Sequence, residues 1–347
     1  MFVLLALAFG LLLAAIVTEV AFRMLWQLPP QLGLFEQTGL FVEMEDGSTS
    51  FTPGYQGVLK AGEELTATVR INALGMRGED LAPRRPGERR VLMVGDSLVF
   101  GYGVEQDDTL PAALGRALGG AVVVGNGGVP GLGTRATAAR LENLAPRFDA
   151  DAFVFCSFLG NDAVDDLRLD VAICNGLRFE GHMARLARES LRFRLAVHSR
   201  ALLWFETWIF NNKPAWSPLG RIRPNPEEMR VMAGLPGTYP EFGKAFAGIF
   251  LDVADDGRSW GESPAPIIPR IVANVRASLQ RAKAIAAGRP LVFVVLPTLW
   301  QVDENRRQEK LRALGFAAAE FPRGTAQGRW LEVARSLDLP AVDATAA

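Results

Sequence analysis

Val91-Leu-Met-Val-Gly-Asp-Ser-Leu98, with Phe100-Gly-Tyr-Gly-Val104 behind it, decides how this chain is read. An apolar run of strand character ends in Gly95-Asp96-Ser97, which predicts a hydroxyl at the end of a buried parallel strand. In open α/β sheets, ligands and reacting groups collect at the carboxyl ends of the strands. A serine there is a candidate nucleophile, provided that a base accepts its proton.

Outward from Val91, strand and helix patterns alternate. Thr109 to Leu118 reads as helix, Ala121 to Val124 as strand, Arg135 to Leu144 as helix and Ala152 to Phe158 as strand. A long helix from about Arg270 to Ala287 leads to a fourth strand, Leu291 to Leu296, and Leu339 to Val342 reads as a fifth. This order predicts an α/β fold with a parallel sheet of about five strands covered on both faces. The expected organisation is residues 1–28 as an anchor or signal segment, 29–88 as a linker and small β-rich module, and 89–347 as the α/β domain. Thr66 to Asn72 alternates as a strand, and Pro83 to Arg90 reads as a solvated basic connector. An insertion over 163–264 contains Ala201 to Phe210, apolar nearly all round. A lid, a membrane-facing patch and a buried helix all fit that run, with burial the default.

Met1 to Thr18 carries no charge. Extended past Glu19 and Arg23 to Leu28, with Pro29 and Pro30 ending it, the segment is long enough for one bilayer crossing. Trp26 suits the interface. A cleaved signal peptide competes, but a basic start and a small-residue cleavage site are both missing. The expectation is a membrane anchor with the bulk of the chain outside the cytoplasm. The 347 residues are 49% hydrophobic and 22% charged, ordinary for a globular core. With a net charge of −1, no strongly basic surface argues for nucleic acid, and binding of a polyanion by a local patch is an unsupported alternative. Cys156 and Cys174 form no CxxC or Cys/His cluster, so neither a zinc site nor another cofactor is expected. Cys156 reads as a small buried hydrophobe; a disulfide to Cys174 is the lesser alternative.

Three segments end strands and meet at one sheet edge: Gly95-Asp96-Ser97, Gly125-Asn-Gly-Gly-Val-Pro-Gly131 and Leu159-Gly-Asn-Asp162. They supply a hydroxyl, close-approach amides and a side-chain amide, the equipment for attack on an ester carbonyl. Each has a bland reading as helix cap, tight loop or Asn-Asp turn. All three in this order are harder to dismiss.

Gly95-Asp96-Ser97-Leu98, Asn126 with Gly131, and Gly160-Asn161-Asp162 resemble the first three sequence blocks of the GDSL/SGNH hydrolases. Asn72-Ala-Leu-Gly-Met-Arg77 resembles the segment preceding the nucleophile block in anchored bacterial members, and Leu296 to Val302 extends the likeness after the fourth strand. The resemblance implies a flavodoxin-like three-layer α/β/α sandwich. It implies Ser97 as nucleophile, and the N–H groups of Ser97 and Gly131 with the Asn161 side chain as the oxyanion hole. The turn is not the G-x-S-x-G elbow of α/β-hydrolases.

The family's last block, an Asp-x-x-His after the fifth strand, supplies the base. This sequence has no histidine after His198, and Asp343 falls at the end of the fifth strand, upstream of that block. His182 and His198 both lie in the insertion and read as structural. The expectation is a chain that stops short of its acid/base pair and turns esters over poorly. Loss of one triad member leaves roughly 10³–10⁴-fold acceleration over water. Acyl transfer to a cell-envelope glycan uses the same nucleophile, and a non-catalytic carbohydrate- or acyl-binding relative is the further alternative. The expected ligand is an ester-bearing small molecule, lipid or glycan. A dinucleotide enzyme, read from Gly127, Gly131 and Gly133, ranks low: Tyr55, Tyr102 and Tyr239 form no Tyr-x-x-x-Lys pair.

Overall fold

A computed structural model describes residues 2–25, 39–44, 49–61, 65–166, 171–212, 267–314 and 324–346. Trp26, Pro29, Pro30, Tyr239 and the insertion beyond residue 212 lie outside these. In chain order the first elements are α1 (Phe2–Leu25), β1 (Phe41–Glu43), β2 (Thr49–Phe51), β3 (Gln56–Ala61), β4 (Leu65–Arg70) and β5 (Arg89–Val94). Then come α2 (Ser97–Phe100), α3 (Leu110–Leu118), β6 (Val122–Asn126), α4 (Thr134–Phe148), β7 (Ala152–Phe158) and α5 (Asp162–Asp165). The insertion adds β8 (Val171–Cys174), β9 (Leu177–Glu180), α6 (Gly181–Glu189), α7 (Leu191–Val197) and α8 (Arg200–Asn212). The last elements are α9 (Ile267–Ala286), β10 (Leu291–Leu296), α10 (Leu299–Val302), α11 (Glu304–Leu314), α12 (Thr325–Ser336) and β11 (Ala341–Asp343). They fall into two compact units: Met1–Glu43 with Asp170–Asn225, and Met44–Leu169 with Pro226–Ala347.

The second unit holds a five-stranded sheet, order β6-β5-β7-β10-β11, every pair parallel. In sequence rank this is 2-1-3-4-5, the flavodoxin-like order, whose switch point lies between the first and third strands. Side chains alternate across the sheet as a pleated strand requires. Leu92, Val94, Phe153, Phe155, Phe293 and Val295 form one core with Leu141 and Leu144 of α4, Val275 and Leu279 of α9 and Trp330 of α12. Met93, Cys156 and Leu296 form the other, with Val99 of α2 and Leu114 of α3 packed there. Helices thus cover both faces, giving the expected α/β/α sandwich. A β3–β4 antiparallel hairpin precedes it, with Gln56 opposite Arg70.

The connector before β5 is exposed from Pro83 to Gly87, as a solvated loop is, but its end is anchored. Arg90 and Glu88 are both buried and bonded to each other, 2.8 Å, while Arg84 pairs with Asp149 and Asp151. These contacts let the strand begin at Arg89, two residues earlier than the apolar pattern indicates. Burial without pairing would be costly for Arg90, so its partners decide its place.

In the first unit, β8 and β9 pair antiparallel, Val171 opposite Glu180. Ala172, Leu177 and Phe179 pack with Ala184, Leu186, Phe193, Val197 and Leu203. Cys156 and Cys174 are free thiols, so the disulfide alternative does not hold. Helix α1 buries none of its side chains and is long and apolar enough to cross a membrane. The apolar run in α8 departs from the default of burial: Leu203, Glu206 and Ile209 are inside, whereas Leu202, Trp204, Phe205 and Trp208 are exposed.

Candidate active site at the sheet switch point

The carboxyl ends of β5, β6, β7 and β10 align through the register. Val94 lies opposite Phe155, Met93 opposite Asn126 and Leu296 opposite Phe158. Gly95 to Ser97 leaves β5 at the switch point between β5 and β7. Asp96 is the N-cap of α2, its carboxylate accepting from the Leu98 N–H at 3.0 Å. Ser97 is therefore the first helical residue, half-buried, and its Oγ donates to Asp96 Oδ2 at 3.2 Å. The Ser97 N–H also faces that carboxylate. The cap reading of Gly-Asp-Ser is real, and it is carried by Asp96.

Helix α2 lasts one turn because Gly101 takes the left-handed conformation, φ 83°, and its N–H bonds to Ser97 O. The backbone from Phe100 to Val104 is held by Arg77. Its fully buried guanidinium donates to the carbonyls of Phe100 (3.0 Å), Gly101 (2.5 Å), Val104 (2.6 Å) and Thr68 (3.3 Å). It also lies 4.9 Å from the centre of the Phe100 ring. Asn126 Nδ2 bonds to the same Phe100 carbonyl, and its Oδ1 accepts from Gly128 N–H. A second buried arginine, Arg140, bonds to Gly127 O, Ser50 Oγ and Gly75 O. The segment Asn72 to Arg77 thus acts as a brace under the first two strand ends. A lone arginine in that otherwise uncharged run was the sequence signal for it.

The three strand-end segments converge. Val129 N–H donates to Gly95 O at 3.1 Å, joining the β6 loop to the serine turn. A Cβ on Gly128 would lie 2.3 Å from the Phe100 N, so that loop passes too close to α2 for any side chain. A Cβ on Gly133 would meet Asp166 and the Asp162 carbonyl, joining the β6 loop to the turn after β7. Asp166 caps the start of α4, accepting from Thr134 Oγ1 and Arg135 N–H. Gly131 has φ 70° and is half-buried. Asn161, also half-buried, donates from Nδ2 to Asp165 Oδ2. That amide has a second N–H, the one an oxyanion role requires.

Two buried carboxyls, Asp96 and Asp162, interact at these strand ends. Burial lifts Asp96 to about 6 against its bonds from Leu98 and Ser97. Asp162 is fully buried, and burial, followed by the Asp96 charge, lifts it well above the usual carboxylate range. Its Oδ2 accepts from Phe158 N–H at 2.8 Å, whereas Oδ1 has no hydrogen-bond partner among the described residues. Burial, then Asp96 and Asp162, pushes the Cys156 thiol up, so this cysteine is an unreactive core side chain. Residue spacing made none of this pairing visible.

No family model and no curated protein matches this chain.

At the end of β11, Asp343 Oδ1 accepts from Thr345 N–H. A buried amide chain runs nearby: Gln301 Oε1 accepts from Thr298, Gln301 Nε2 donates to Gln327, and Gln327 donates to Thr345 Oγ1. His198 belongs to the first unit, where it is exposed and its Nδ1 bonds to Arg194 O at 2.7 Å. The side chain of His182 lies outside what the structure describes. Among the described residues, no three His, Cys, Asp or Glu side chains group to hold a metal ion.

Proposed function

We propose that the protein is a membrane-anchored serine ester hydrolase of the GDSL/SGNH type, acting outside the cytoplasm on an ester-bearing lipid, glycan or small molecule. The observation that carries this reading is Ser97 at the switch point, opening α2, with the β6 loop bonded to its turn and packed on α2 and the β7 turn packed on the β6 loop. In the proposed reaction Ser97 Oγ bonds to the ester carbonyl carbon and its proton passes to a base. The carbonyl π pair moves onto oxygen, and the N–H groups of Ser97 and Gly131 and the Asn161 amide receive that oxyanion. Collapse breaks the C–O bond to the alcohol, which leaves with the proton from the base. Water then cleaves the acyl-serine, or an acceptor hydroxyl takes the acyl group if the enzyme is a transferase. For the Ser97 N–H to serve, it must turn from Asp96 to the oxyanion. The resemblance assigns that base to a histidine of an Asp-x-x-His block, and imidazole stands in for it in the test below.

The test uses the 347-residue chain with p-nitrophenyl acetate, with imidazole added as an external base. Peptide mass spectrometry is expected to find acetyl on Ser97, accumulating faster with imidazole and more slowly in Asn161→Ala. Acetyl spread over surface lysines and serines, with Ser97 unmodified, would overturn the enzyme reading in favour of a non-catalytic binding relative.

A further inference from the structure

We propose that the exposed face of α8 is a membrane-interface surface, resting on the same bilayer that α1 crosses. The inference rests on the reading of α1 as a membrane span. Glu19 lies 17 residues beyond Phe2, about 26 Å along the helix at 1.5 Å per residue. The hydrocarbon core is about 30 Å thick, so Glu19 approaches the far boundary. A carboxylate at that depth is costly unless donors reach it. Here the donors are Arg23 Nε (2.7 Å), Ser199 Oγ (2.7 Å), Arg200 N–H (3.0 Å) and Ala201 N–H (3.2 Å). Three of the four come from the start of α8. Arg23 also donates to the His198 carbonyl, and the Phe22 ring lies 5.2 Å from that of Trp204. The first turns of α8 are therefore fixed beside the end of the membrane-crossing helix.

From that point α8 presents one apolar face outward. Leu203, Glu206 and Ile209 turn inward. Leu202, Trp204, Phe205 and Trp208 are 49%, 37%, 47% and 46% exposed, and the Phe205 and Trp208 rings stack at 6.2 Å. Leu191 and Leu195, one turn apart on α7, are exposed as well. Two exposed tryptophans with a stacked phenylalanine on one helix mark a contact with another phase or partner. Tryptophan is enriched where hydrocarbon meets headgroups, and a helix with one apolar face lies in that plane. The bonds to Glu19 choose lipid over a protein partner, because they hold the patch at the depth where lipid is.

The experiment places the full chain in phosphatidylcholine vesicles containing lipids brominated either near the headgroup end of the acyl chain or near its tip. The emission of Trp204 and Trp208 is the difference between the native chain and the W204F/W208F variant, whose fold is checked by circular dichroism. That emission is expected to be lost to the shallow bromines and retained with the deep ones. Leu12→Trp, in the middle of α1, reports insertion by loss of emission to the deep bromines. Quenching at position 12 without shallow quenching of Trp204 and Trp208 overturns the surface while leaving the anchor intact. An unquenched tryptophan at position 12 overturns the anchor and the proposal with it.

Discussion

Asp162→Asn will raise stability at neutral pH and flatten its dependence on pH. The wild-type pair, Asp96 and Asp162, is 1% and 0% exposed. Burial lifts both carboxyls above their ordinary range, Asp96 from 3.8 to about 6, and the charge of Asp96 lifts Asp162 further. The folded chain therefore holds protons over a range in which the unfolded chain has released them. For Asp96 the contribution is fully present below the unfolded value, near pH 4, and is lost as pH rises through about 6; Asp162 acts in the same direction. Burial alone raises Asp96, so its linkage stays in the variant, whereas the linkage of Asp162 is removed. Asparagine keeps an acceptor for the Phe158 N–H, removes one of the two charges and puts an amide where Asp162 Oδ1 has no partner. The variant should gain on the order of 1–3 kcal/mol at about pH 8 and little near pH 5. Urea unfolding of the full chain in detergent micelles, followed by circular dichroism from about pH 5 to pH 8, measures this. Parallel pH profiles for the two proteins would refute the reasoning, because Asp162 would then carry no proton linkage.

Arg77→Lys keeps the charge but cannot span four carbonyls. It should cost about 3 kcal/mol in urea unfolding and slow acetylation at Ser97; an unchanged midpoint would remove the brace argument. Gly128→Ala sets a Cβ 2.3 Å from Phe100 N and 2.7 Å from Val99 C, both backbone. It should lose about 1–3 kcal/mol of stability. Gly115→Ala is the contrast: its Cβ meets nothing closer than Val124 at 3.6 Å within α3. That change should gain roughly 0.5–1 kcal/mol, and thermal melts showing the opposite order for the two glycines would contradict the packing described.

The sheet was legible from residue order. Apolar runs at Val91, Ala121, Ala152, Leu291 and Leu339 each became a parallel strand within two residues; β5, β7 and β10 are covered on both faces, which favours an apolar composition. The same alternation put Ser97, Asn126 and Asn161 at strand ends. Three features depended on tertiary contacts. Arg90 and Arg77 look solvated in a local window, yet both are buried, since their partners are carboxylates and carbonyls brought to them by the fold. Asp96 and Asp162 stand 66 positions apart in the chain, and only the parallel pairing of β5 with β7 brings their strand ends side by side. Residues Ala201 to Phe210 are apolar nearly all round, so periodicity could not choose the inward face. Packing against α7 turned Leu203 and Glu206 inward and left Trp204, Phe205 and Trp208 outside. Hydrophobic pattern reports how much of a segment avoids water, whereas charge partners and the choice of face are set by what the fold brings within reach.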